Sequence, residues 1–103
     1  MASTAVDTPL ARSTFDAPTF ELGMAPAGSM YASVLDMTQF IRALLRRDER
    51  LVKSATLDTM WTPQYAPGAT SGFGLGFAVG QYAGRRVVRH GGAIYGFATE
   101  LVV

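Results

Sequence analysis

The single histidine, His90, stands directly before Gly91-Gly92, and Arg85, Arg86 and Arg89 precede it. An imidazole can act as a general base, but it needs a nucleophile within hydrogen-bond reach and a group that orients it. No Gly-x-Ser-x-Gly elbow accompanies it. From its own surroundings His90 therefore reads as a strand-end residue, and the arginines as a solvated hairpin face. On a strand, Arg85 and Arg89 share one side while Arg86 and His90 share the other. A second cluster, Gly72, Gly74, Gly76 and Gly80, invites comparison with a nucleotide-binding loop. The spacing fails, because the fingerprint requires small residues where Phe77 and Val79 stand. A Walker loop fails as well, since the only lysine is Lys53, in Val52-Lys53-Ser54 with no glycine before it. Alternation with Phe73, Leu75 and Phe77 instead suggests a strand whose glycines face a packed neighbour.

Composition removes other chemistries. With no cysteine there is no disulfide framework, thiol nucleophile or cysteine-held metal, and one histidine excludes a multi-histidine zinc site. No metal or cofactor is expected. Nine Lys plus Arg against eight Asp plus Glu leave a net charge of +1, which gives no electrostatic footprint for nucleic acid or an anionic membrane. No run approaches the roughly 20 apolar residues of a membrane span. Residues 1–9 carry no Lys or Arg and no apolar run of about 7–15 residues follows, so no signal peptide is read and no compartment is named.

The elements that must position these residues follow from pattern. The length of 103 residues, with 49% hydrophobic and 17% charged, fits one small ordered domain. Residues 1–10 read as a loose tail and residues 11–29 as an irregular lead-in, rich in Ser, Thr and Pro but carrying Phe15, Phe20, Leu22 and Met24. Ser33 with Asp36 forms a short capping box before the stripe Met37, Phe40, Ile41, Leu44 and Leu45, which predicts a helix over residues 34–46. Ser54 as N-cap and Leu57, Met60 and Trp61 on one face predict a second helix over residues 54–61, stopped by Pro63. Residues 73–82, 85–90 and 97–103 are rich in aromatic and β-branched residues. They predict a three-stranded antiparallel meander, with a hairpin at Ala83-Gly84 and a link over residues 91–96. The expected class is α+β. The last strand runs to Val103 without a polar tail, which leads us to expect further chain after it.

Three segments taken in order resemble one family: Ala25-Pro26-Ala27-Gly28-Ser29-Met30-Tyr31-Ala32-Ser33 running into Asp36-Met37 and Phe40; Phe73-Gly74-Leu75-Gly76-Phe77; and Val88-Arg89-His90-Gly91-Gly92-Ala93-Ile94-Tyr95-Gly96-Phe97. Over residues 22–103 the chain is similar to the C-terminal part of the serine beta-lactamase and penicillin-binding-protein-like superfamily. Within it the likeness is to the branch of class C beta-lactamases, D-alanyl-D-alanine carboxypeptidases and esterases. The resemblance implies a fragment of the beta-lactamase/transpeptidase-like fold, with residues 1–21 as tail and lead-in and residues 22–103 as a partial hydrolase domain.

The family's chemistry starts from a Ser-x-x-Lys nucleophile and a Tyr-x-Asn motif. No serine here has lysine three residues on, and there is no Asn in the chain. Tyr31-Ala32-Ser33 falls at the helix start, where the family keeps a structural serine. What the resemblance carries over is the third motif. His90-Gly91-Gly92 aligns with Lys-Thr-Gly: His90 would contact substrate and tune the upstream tyrosine, Gly91 and Gly92 would admit the substrate backbone, and the Ala93 amide would be one of two oxyanion donors. Histidine in place of lysine, with a reference pKa of about 6.5, weakens the case for beta-lactams. The implied partner is a small acyl substrate, bound only with the missing upstream part. The alternative is a non-catalytic module that takes a peptide or partner, or self-associates, at an exposed sheet edge.

Overall fold

The computed structural model describes Pro18, Gly23 and residues 25–103. The expected tail and most of the expected lead-in, with the boundary between residues 21 and 22, lie outside the described residues.

Helix α1 spans Val34–Leu45 and starts where the capping box places it. The Asp36 N–H donates to Ser33 Oγ at 3.1 Å, and the Ser33 N–H donates back to Asp36 Oδ2 at 3.3 Å. The helix ends with Arg47 in a left-handed conformation (φ 54), the Arg47 N–H on the Leu44 carbonyl and the Asp48 N–H on the Ala43 carbonyl. This paired closure usually employs glycine. Here Arg47 is held by its side chain, which donates to Ser54 Oγ and pairs with Asp58. Helix α2 spans Ser54–Met60. Its N-cap is Lys53, with no side-chain cap, rather than Ser54, whose hydroxyl is occupied by Arg47.

Among the described residues four strands form one antiparallel sheet in the order β1 (Gly72–Phe73), β2 (Ala78–Tyr82), β3 (Arg85–Ile94) and β4 (Phe97–Val102). The class is α+β as expected, but two corrections apply. The single strand expected over residues 73–82 is broken into β1 and β2. The Gly74 N–H bonds the Phe77 carbonyl, and Gly76 at φ 74 turns the chain back. The link expected over residues 91–96 shrinks to Tyr95-Gly96, because Gly91–Ile94 continue β3 in register with β4. The side chains of Glu100 and Thr99 lie over Gly91 and Gly92, so β4 supplies the cover that the glycines lack. The Ala83-Gly84 hairpin forms as read, with both residues left-handed (φ 48 and 74).

Leu44, Leu57, Trp61, Val79 and Val88 make the core. Both helices thus pack on the sheet face carrying Val79 and Val88. Trp61 meets Phe77 edge-on at 6.2 Å, and the guanidinium groups of Arg47 and Arg86 lie 5.9 and 5.4 Å from its ring. Arg86 therefore lies over Trp61 while remaining exposed like its hairpin neighbours, and only Leu44 of the α1 stripe is buried.

Three carboxylates are held below their ordinary range by donors. Hydrogen bonds from Ser33 do this at Asp36 and a bond from Arg47 at Asp58, while the Arg50 guanidinium brings Asp48 down to about 2. A carboxylate depressed in the folded state stabilises it above the unfolded value, near 3.8, and that contribution fades as pH falls toward 2. The urea midpoint is expected to hold steady from pH 7 to pH 5 and to drop between pH 4 and pH 2. A flat midpoint down to pH 2 would contradict these pairings.

Candidate functional site

Strand β3 is longer than its partner on one side. Pairing with β2 covers β3 only as far as Arg89, opposite Ala78, whereas pairing with β4 continues through Ile94. From His90 to Ile94 one edge of β3 is thus unpaired among the described residues. Hydrogen-bond alternation decides what that edge offers. Val88 and Val103 exchange both backbone bonds, at 2.8 and 2.9 Å. In an antiparallel ladder bonded and non-bonded pairs alternate, so His90, Gly92 and Ile94 turn their amides toward β4. Gly91 and Ala93 turn theirs to the open edge.

The four residues singled out in the sequence, His90, Gly91, Gly92 and Ala93, are consecutive on this stretch and all exposed. His90 is paired with Leu101 and its side chain belongs to the face that carries Val88. Three residue steps along the strand take it to Ala93, about 10 Å at the usual rise. The two groups therefore meet different parts of any one ligand.

Two depressions adjoin this stretch of β3. One, about 360 Å³, is bounded by Phe73, Gly74 and Phe77 from the β1–β2 connection and by Arg89, His90 and Gly91. The other, about 310 Å³, has Gly92, Ala93 and Ile94 as its floor. Met30 and Tyr31, from the segment before α1, form one wall; Phe97 and Thr99 of β4 form another. A Cβ at Gly92 would stand 2.8 Å from Thr99 Oγ1, so a larger residue there would have to turn the Thr99 side chain aside. Sequence reading did not single out Phe97 or Thr99 as site residues. The available signal was the register, which sets Thr99 opposite Gly92 and becomes legible only once Gly91–Ile94 are recognised as strand.

Ser33 acts as the α1 cap, the structural role expected for it, so Tyr31-Ala32-Ser33 is a helix start. Among the described residues no group of acidic, histidine or cysteine side chains is arranged to hold a metal ion. No helix of the described chain is long and apolar enough to cross a membrane.

The described residues thus form an α+β arrangement in which β3 leaves an edge open at two glycines and an outward amide. The family model for Beta-lactamase matches residues 2–103, and the chain belongs to that family. No curated protein and no solved structure matches it.

Proposed function

We propose that this chain is the sheet-side portion of a serine hydrolase of the branch containing class C beta-lactamases, D-alanyl-D-alanine carboxypeptidases and esterases. It would cleave ester, amide or beta-lactam bonds by acyl transfer. The observation that carries the reading is the Ala93 amide, turned out of the ladder at an open edge, in a residue that lines a depression. A serine supplied by chain outside this sequence attacks the substrate carbonyl and gives up its proton to a neighbouring base. The carbonyl oxygen becomes an anion. The Ala93 N–H donates to it, together with the serine's own amide. The leaving group departs with a proton, and water then releases the acyl group from the serine. Gly91 and Gly92 let the substrate backbone approach β3, and His90 contacts the substrate farther along the strand.

With no Ser-x-x-Lys and no Asn, the chain has no attacking group of the family's type. Incubated alone with nitrocefin or p-nitrophenyl esters, it is expected to leave them at the buffer rate. Mixed with, or fused to, an upstream family segment bearing Ser-x-x-Lys and Tyr-x-Asn, it is expected to restore hydrolysis. Turnover by the chain alone, abolished by His90→Ala, would overturn the proposal.

A second reading, a binding module, is favoured by the same unpaired edge and by apolar side chains left in the open, among them Val34, Leu35 and Phe97. In this reading a peptide strand pairs with Gly91 and Ala93. No hydrolysis on mixing, with a peptide shifting the Gly91 and Ala93 amide resonances, would select it.

A further inference from the structure

The two depressions beside β3 differ in chemistry. The one at His90 also holds Arg89, whereas the one at Ala93 is lined by Met30, Tyr31, Ile94 and Phe97 with no Asp, Glu, Lys, Arg or His among the described residues. Its one aliphatic hydroxyl is Thr99, which sits over Gly92. At about 310 Å³ it is at the small end of ligand pockets. Ala93, whose amide is assigned to the oxyanion, lines it, so whatever occupies it lies close to the reacting carbonyl. A charged group there would lose water and meet no counter-charge. An apolar group would displace water from Met30, Ile94 and Phe97 and gain from it.

From this we infer that the groove selects an uncharged, apolar acyl group, with Met30, Ile94 and Phe97 as the specificity-determining contacts and the hydroxyls of Tyr31 and Thr99 as its polar side-chain groups. The inference rests on the proposed acyl-transfer reading for the identity of the ligand. The groove itself is tested by binding. N-methyl amides of acetic, butyric and hexanoic acid are titrated into the 103-residue chain, following the amide resonances of Ala93, Ile94 and Thr99 and the Met30 methyl. Affinity is expected to rise about two- to fourfold per added methylene. Hexanoate, the charged counterpart, is expected to bind at least about tenfold more weakly than its N-methyl amide. Met30→Ser, a change at an exposed position outside the core, is expected to flatten the length dependence.

Equal affinity across the series, equal binding of the anion, or shifts confined to His90 and Phe73 would overturn the inference. In the restored enzyme, p-nitrophenyl esters of the same acids separate the two claims. Hydrolysis with a flat chain-length profile removes the groove and leaves the acyl-transfer reading. A length-dependent affinity with no hydrolysis on mixing removes the acyl-transfer reading and leaves the groove.

Discussion

Ala93→Pro, made in the enzyme restored with its upstream segment, is expected to lower kcat by about 100- to 1,000-fold, the usual effect of removing one oxyanion donor at about 2.7–4 kcal/mol of barrier. Proline removes the N–H and nothing else of consequence at this position. A proline inside a sheet normally costs a ladder bond, but it is tolerated where the lost N–H faces away from a partner strand. Ala93 is such a place. It stands opposite Ala98 in a non-bonded pair, four residues past Arg89, the last residue of β3 that pairs with β2. The preceding residue, Gly92, is already extended, as a proline requires of its neighbour. The melting temperature should therefore stay close to that of the unaltered chain while catalysis falls. Ala93→Gly, which keeps the N–H, serves as the comparison and should retain most of the activity. If Ala93→Pro remained within tenfold of the unaltered enzyme, Ala93 would not be the donor and the assigned orientation of the substrate would be wrong.

The two helices were readable because each announces itself locally. Ser33 and Asp36 cap α1, and the spacing of Met37, Phe40, Ile41 and Leu44 has the helical period. His90, Gly91, Gly92 and Ala93 were readable as a unit only through the family resemblance, since their chemistry depends on a nucleophile that the chain does not contain. An exposed sheet edge was expected, but its extent was not readable. It results from β2 being five residues long against ten in β3, and strand length depends on where the chain turns at Gly76, not on the composition of β3. Gly91-Gly92 misled for a related reason. Glycine lowers strand propensity locally, but the cover supplied by Glu100 and Thr99 comes from a different strand. The contact of Arg86 with Trp61 was not legible because that ring is distant in sequence.

The four glycines at 72, 74, 76 and 80 look alike in sequence, yet the structure separates them sharply, and Gly74→Ala should expose the difference. Gly76 is there for its left-handed turn, and Gly80 has open space where a Cβ would go. Gly74 is there for contact. A Cβ on it would run into the Met60 carbonyl oxygen and lie 3.3 Å from that of Thr62. These are backbone atoms, which cannot swing aside as a side chain can. The Met60 carbonyl also accepts the Leu75 N–H at 2.9 Å, so relieving the collision stretches or breaks that bond. Overpacking costs about 1–3 kcal/mol and a lost hydrogen bond about 0.5–1.5 kcal/mol. The sum is a large share of the roughly 5–15 kcal/mol that holds an ordinary domain together. At about 4–8 °C per kcal/mol for a chain near this size, Gly74→Ala should lower the melting temperature by roughly 10–20 °C, while Gly80→Ala should change it by no more than about 2–4 °C. The damage should also reach the depression beside His90, because Phe73, Gly74 and Phe77 bound it and Trp61, which follows Met60, packs on Phe77. Equal melting temperatures for the two variants would mean that the α2 terminus does not press on the β1–β2 connection. The wall opposite His90 would then have no fixed support.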